Sequence, residues 1–190
     1  GPGTGTGTGT GHLPFDPASA SNTITRVVPL RKGHKVHLTW QLPPHNKDYR
    51  RKSTHYLSHL CGHEGPGSLL SALKRTKLAS GVTAGIMDGG TTNNSFVSLF
   101  RITVKLTDAG LANWMYAVRA VHDYIALLVM EGPQQWVWEE MRDMARLEFD
   151  YQEEGDEDDT VDFFAVEMTS TMAIARSDLL QSSLFFDYDP

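Results

Sequence analysis

The sequence predicts an α+β domain in which an antiparallel sheet is covered on one face by long helices. Three observations carry that expectation. In residues 34–42, HKVHLTWQL, Val36, Leu38, Trp40 and Leu42 alternate with Lys35, His37, Thr39 and Gln41, the period of a strand with one buried and one wet face. Residues 95–106, SFVSLFRITVKL, alternate again, with Phe96, Phe100, Ile102, Val104 and Leu106 on one face and Arg101, Thr103 and Lys105 on the other. Further on, Leu111, Met115, Val118, His122, Ile125 and Val129 recur in steps of four and three, which is helical spacing. Strands come early and long helices late, the order expected of an α+β chain.

The elements follow in order. The opening GPGTGTGTGTG carries no side chain able to anchor it, so a flexible tail is expected through Gly11 and an ordered domain over 12–190. ITRVVPL (24–30) reads as a strand paired in a hairpin with 34–42, and Pro29 places it at an edge. Pro43-Pro44 stops the second strand, and HNKDYRRKS (45–53) is a loop leading to a helix capped by Ser53 or Thr54. Gly65-Pro66-Gly67 breaks that helix after Glu64, and Pro66 can sit in the first turn of the next, GSLLSALKR. A strand near 78–86 and a loop at 88–94 precede the strand at 95–106. Thr107 caps the long helix, and Gly132 ends it as Pro133 opens another. That helix carries Val137, Met141 and Met144 on one side and runs to about Tyr151. The acidic run EEGDEDD (153–159) reads as a solvated loop, followed by a helix over about 160–175 and a short apolar stretch at 178–186.

Composition narrows the partners. The 190 residues carry a formal net charge of −6 with no basic stripe, which argues against nucleic acid. No apolar run approaches the roughly 20 residues needed to span a bilayer, and the opening residues show no charged n-region followed by an apolar h-region, so no signal peptide is expected in them. The single cysteine, Cys61, excludes an intrachain disulfide and fits a reducing, cytoplasmic compartment.

HYLSHLCGHEGPGSLL (55–70) raises a sharper question, because His55, His59 and His63 are four apart, the spacing of zinc-binding helices. A zinc peptidase also needs a glutamate to deprotonate the metal-bound water, spelled H-E-x-x-H or inverted as H-x-x-E-H. From His59 to His63 the chain reads H-L-C-G-H, with Gly62 in the place of the inverted motif's glutamate. His63-Glu64 begins the direct motif, but Gly67 stands where its second histidine belongs. The catalytic signature is absent. A structural metal on His59 and His63 with Cys61 or Glu64 is a weaker reading, since Cys61 points about 200° around the helix from His59. His122, inside an apolar stripe, reads as a hydrogen-bonded core histidine. The Gly-Pro-Gly break and the lightly substituted LASGVTAGI (78–86) suggest instead a helix beside a strand that admits an extended peptide by β-addition.

HYLSHLCGHEGPGSLLSALK (55–74), FRITVKLTDAGL (100–111), YI-x-LL at 124–128 and GPQQWVWEE (132–140) together resemble the insulin-degrading enzyme and nardilysin family of zinc metallopeptidases, the M16 family. FDYQEE (149–154) looks more like the nardilysin side. The resemblance covers roughly residues 12–190. It implies one of four related α+β domains that close into a chamber around a peptide. The inverted zinc motif lies in the first domain, and this chain resembles the second, which carries no zinc ligands. The resemblance further implies that the chain stops before this domain's last strand and helix.

In insulin-degrading members, the second domain anchors the amino-terminal end of the substrate by backbone pairing. Carried over by motif, the matching positions are His55, Ser58, His59, Gly62 and Glu64, then Val82, Thr83 and Ala84 on the strand. The chain departs from the family at three places: Thr76-Lys77-Leu78 where Lys-Gly-Trp is common, and Ala84 and Ser58 where glycines are usual. The expectation is therefore a chamber-wall and exosite domain with no catalytic residue of its own, zinc belonging to the full-length parent, and peptides and the parent's other domains as partners. A scaffold domain of an inactive homologue is the alternative, and an independent metal-binding domain is a third reading.

Overall fold

The structure, a computed structural model, describes residues 23–30, 32–44, 48–87, 94, 96–152, 161–162, 165 and 174–189. Three strands form one antiparallel sheet: β1 (His34–Leu42), β2 (Ala79–Ile86) and β3 (Ser98–Leu106), in the order β1-β3-β2. The helices fully within the described residues are α1 (Ser53–Gly62), α2 (Leu69–Arg75), α3 (Asp108–Ala112), α4 (Trp114–Glu131) and α5 (Gln135–Asp150). A 3-10 turn, Arg176–Gln181, comes last. The Gly/Thr tail, the 88–94 loop except Asn94, the acidic run 153–159 and most of the helix expected over 160–175 lie outside the described residues.

The central strand organises the core. Ile102 and Val104 are fully buried, and the register sets Val36 and Val82 beside Val104, and Leu38 and Ala84 beside Ile102. These side chains meet Leu69, Leu70 and Leu73 of α2 and Ala117 and Val121 of α4. The opposite face carries Lys35, His37, Thr39, Arg101, Thr103 and Lys105, of which Lys35, His37, Thr39 and Lys105 are exposed and Arg101 and Thr103 half-buried.

Several expectations shift. ITRVVPL forms no strand: Val28 is 91% and Leu30 106% exposed, and β1 pairs with β3, 56 positions away at its closest, rather than in a hairpin. The segment offers no polar face to alternate with Val27 and Val28, and Pro29 has no N–H to contribute to a ladder. β3 starts at Ser98, so Phe96 lies outside it and is exposed, while Val97 turns inward. α1 ends at Gly62, before Glu64, and its N-cap is Lys52 in the left-handed region, with Asp48 Oδ2 accepting from the Ser53 N–H instead of a Ser or Thr cap. α2 starts at Leu69 with Ser68 as its cap, so Pro66 belongs to the preceding turn. α5 likewise starts at Gln135, two residues after Pro133, and buries Val137 and Trp138 while Met144 is exposed.

The long helix from Thr107 is two. Thr107 does cap α3, its Oγ1 accepting from the Gly110 N–H at 3.0 Å, but the chain breaks at Asn113 before α4. The buried stripe of α4 is Trp114, Ala117, Val121, Tyr124 and Leu128 rather than Met115, Val118, His122 and Val129. α4 is apolar around most of its circumference, so two stripes satisfy the same spacing. Small Ala117, fully buried, is on the one that lies against the core. His122 is accordingly exposed, not a core histidine, and meets Trp40 edge-on at 6.0 Å.

The end of α2 shows what the Lys77 departure does. The Leu78 N–H donates to the Leu73 carbonyl and the Lys77 N–H to that of Lys74, the paired closure that normally places glycine at the left-handed position. Lys77 holds that position with φ +58°. Immediately after it, Leu78's carbonyl accepts from the Thr107 N–H and lies so near Gly110 that an added Cβ would sit 1.9 Å away.

Candidate functional site

The eight positions predicted from sequence fall on α1, the turn after it, and β2. Gly62 and Ala84 meet: a Cβ built on Gly62 would lie 3.9 Å from the Ala84 amide nitrogen. Ser58 reaches the next residue, its Oγ 3.6 Å from a Cβ built on Gly85. The Ser58 hydroxyl also donates to the Thr54 carbonyl at 2.7 Å, which ties it back to its own helix. Helix and strand thus converge at one end, and the two residues that depart from the family's glycines, Ser58 and Ala84, both stand at that convergence.

Backbone parity decides what β2 can offer. In an antiparallel pair, residues alternate between those bonded to the partner and those turned away. The Met87 N–H donates to the Leu99 carbonyl at 2.9 Å, so Gly85, Thr83 and Gly81 also face β3. The N–H and C=O groups of Val82, Ala84 and Ile86 therefore turn to the outer edge. Val82 and Ala84 fit the predicted role through their backbones, while Val82's side chain is buried in the core. Thr83 differs: its backbone belongs to β3, and only its side chain is exposed, on the open sheet face.

The histidines are less concentrated than their spacing suggests. The rings of His59 and His63 lie 6.0 Å apart and tilted by 50°. His63 lies beyond the helix and folds over Gly65, whose N–H it accepts at Nδ1 over 3.2 Å. A Cβ built on Gly65 would lie 2.5 Å from that ring, so a side chain there would require the exposed His63 ring to swing away. His55 and Glu64 are exposed. Cys61 faces the core, and burial pushes its thiol up to about 11, a poor metal ligand at neutral pH. Among the described residues no group of three His, Cys, Asp or Glu side chains lies close enough together to hold a metal ion.

Two features escaped sequence reasoning. A cavity of about 560 Å³ opens on the helix side of the sheet, lined by Trp40, Leu60, Cys61, Ile125, Leu128 and Trp138 among others. None of the eight predicted residues lines it. Over the same region the loop before α1 is latched to the chain's end. Arg50 pairs with Asp178 and Asp187, Arg51 with Asp189 at 2.9 Å, and Lys52 Nζ donates to the Ser182 carbonyl at 2.7 Å. The sequence shows the basic run Arg50, Arg51 and Lys52 and the acidic ending, but nothing in it aligns groups about 130 positions apart.

Comparison with known proteins identifies the architecture. A family profile described as the peptidase M16 inactive domain matches residues 8–144. Nardilysin of Rattus norvegicus is 38% identical over 178 residues, which cover 93% of this chain and 15% of that protein. The peroxisomal insulin-degrading enzyme-like 1 of Arabidopsis thaliana is 34% identical over 143 residues, 74% of this chain and 14% of its own length. The crystal structure of pitrilysin superposes with a TM-score of 0.74 at 22% identity over 84% of this chain and 16% of that one, a likeness of fold. The chain thus spans about 15% of the length of the nardilysin it matches.

Proposed function

Since the chain belongs to the M16 peptidase family, matching its inactive-domain profile, we propose that it forms a chamber wall of an insulin-degrading or nardilysin-type zinc endopeptidase and anchors peptide substrates there. The observation that carries this reading is the outer edge of β2. Val82 and Ala84 turn their backbone groups outward beside a helix that approaches closely at Gly62. An extended peptide adds to such an edge by main-chain hydrogen bonds, which recognise any sequence. The convergence at Gly62 and Ala84 closes one end of the edge, and Glu64, exposed just past α1, supplies a carboxylate for the peptide's terminal ammonium. His55 and His59 flank it from the helix. Zinc and the scissile chemistry belong, in this reading, to another part of the parent protein, and no catalytic step passes through this chain.

Amide hydrogen exchange on the chain, with and without an unstructured ten-residue peptide, tests the anchor. Val82 and Ala84 should exchange quickly alone and become protected with peptide, while Thr83 and Gly85 are protected throughout. Acetylating the peptide's amino terminus, or Glu64→Gln, should weaken binding severalfold. Equal protection of Val82 and Ala84 in both conditions would remove the reading. The assignment of chemistry elsewhere has its own check: the purified chain should cleave no peptide, and the full-length protein should do so in a chelator-sensitive way. An inactive full-length protein that still binds peptide would favour the scaffold alternative.

A further inference from the structure

The open face of the sheet is basic in a chain that is acidic overall. It presents Lys35, His37 and Thr39 from β1, Arg101, Thr103 and Lys105 from β3, and Gly81, Thr83 and Gly85 from β2. Lys35 stands directly opposite Lys105 in the register, an arrangement that costs stability unless an anion relieves it. Among the described residues no carboxylate forms an ion pair with Lys35, Arg101 or Lys105.

The cations differ in where they are held. Arg101 turns toward β1, its Nε donating to Thr39 Oγ1 at 3.2 Å. Lys105 turns the other way: its Cδ lies 3.4 Å, and its Cβ and Cγ 3.9 Å, from a Cβ built on Gly81. Its aliphatic stem therefore lies over β2 at a position where β2 has no side chain, which leaves the ammonium within reach of the β2 side of the face. A strand added there would sit two strand spacings from β3, roughly 10 Å, a gap that a lysine and a glutamate side chain close between them.

We propose that Lys105, reaching across Gly81, selects acidic side chains in the peptide that pairs with the outer edge of β2. This rests on the reading of that edge as a peptide anchor and adds a preference to it. Side chains of an added strand alternate between faces. Only residues opposite Gly81, Thr83 and Gly85 project onto the open face, and those opposite Gly81 and Thr83 are the nearer to Lys105, so the preference has a period of two along the peptide. An exposed ion pair of this kind contributes about 0.2–1 kcal/mol, a gain of up to about fivefold in affinity, screened by salt.

A glutamate scanned position by position through a ten-residue neutral host peptide tests this by titration against the chain at low ionic strength. Affinity should rise about threefold at alternate positions and stay flat between them, and the alternation should vanish in Lys105→Gln. In Lys105→Glu, a lysine scan should restore it at the same positions. Protection of the Val82 and Ala84 amides without any alternation would overturn the Lys105 proposal and leave the anchor standing. An alternation that persists in Lys105→Gln would overturn it as well. Absence of protection with every peptide would overturn both.

Discussion

The two outer strands share one central partner and run antiparallel to it, yet they present opposite kinds of edge. β1 carries a side chain at every position, and two cross-strand hydrogen bonds hold it on the open face: His37 Nδ1 with Thr103 Oγ1 at 2.9 Å, and Arg101 with Thr39. β2 carries Gly81, Ala84 and Gly85, so little of its hold on the sheet comes from its own side chains. Its support comes from behind and from its ends: α1 and α2 pack against it, and Leu78 is clasped by Thr107 and Gly110. A strand with so few side chains of its own needs such fixtures, and in the reading proposed above its outer edge is the one that receives a peptide backbone.

The largest effect is expected where that fixture is tightest. Gly110→Ala places a Cβ 1.9 Å from the Leu78 carbonyl, a backbone atom with nowhere to move. Chemical denaturation should show a loss of about 3 kcal/mol, the upper end for overpacking. A loss below about 1 kcal/mol would mean that β2 is not held at its start in the way described.

Gly62→Ala separates the open edge from ordinary packing. Its Cβ would make only normal contact with Ala84, and alanine is the better helix former, so stability should rise by about 0.5 kcal/mol. The same methyl narrows the place where the peptide's end would lie, and affinity should fall severalfold. Opposite signs mark a glycine kept for the groove; stability and affinity moving together would mark a merely structural one. At the other end of the helix pair, Lys77→Gly should stabilise the chain by about 1 kcal/mol, because the left-handed position strains any residue with a Cβ. An unchanged melting temperature would show that Lys77's side chain returns what its backbone loses.

The same contrast explains what was legible in the sequence. β1 and β3 were readable to within three residues because alternation of side chains is itself the signal. β2 was placed by its flanks and its lack of bulk, and the meeting of Gly62 with Ala84 rested on motif resemblance, since no periodicity reports a gap between elements. The stripe expected on α4 differs from the buried one because an apolar circumference gives several stripes the same spacing, and only the full burial of Ala117 and Val121 shows which one meets the core. The hairpin expected at 24–30 does not form, because the neighbour of β1 in the sheet is β3, not the segment that precedes it in the chain. Lys105's path across Gly81 was invisible for a similar reason, as the register joining them depends on which strand lies in the middle.

The smallest expected effect belongs to β1, and it checks the charge of the open face. His37 is held below its ordinary 6.5, first by desolvation and then by Arg101 and Lys35. The folded chain therefore binds a proton at His37 less readily than the unfolded chain does, and stability rises with pH wherever that difference operates. The contribution is fully present above about 6.5 and is lost as pH falls through the lowered value. An NMR titration should place His37's midpoint below that of an unfolded peptide, and His37→Gln should flatten the weak acid-side decline. Adding an acidic peptide should move the midpoint back up, since an anion near Lys105 offsets the field that Lys35 and Arg101 impose on the same face. A midpoint at or above 6.5 in the free chain would mean that the face is less positive than its side chains suggest, and the attraction attributed to Lys105 would weaken with it.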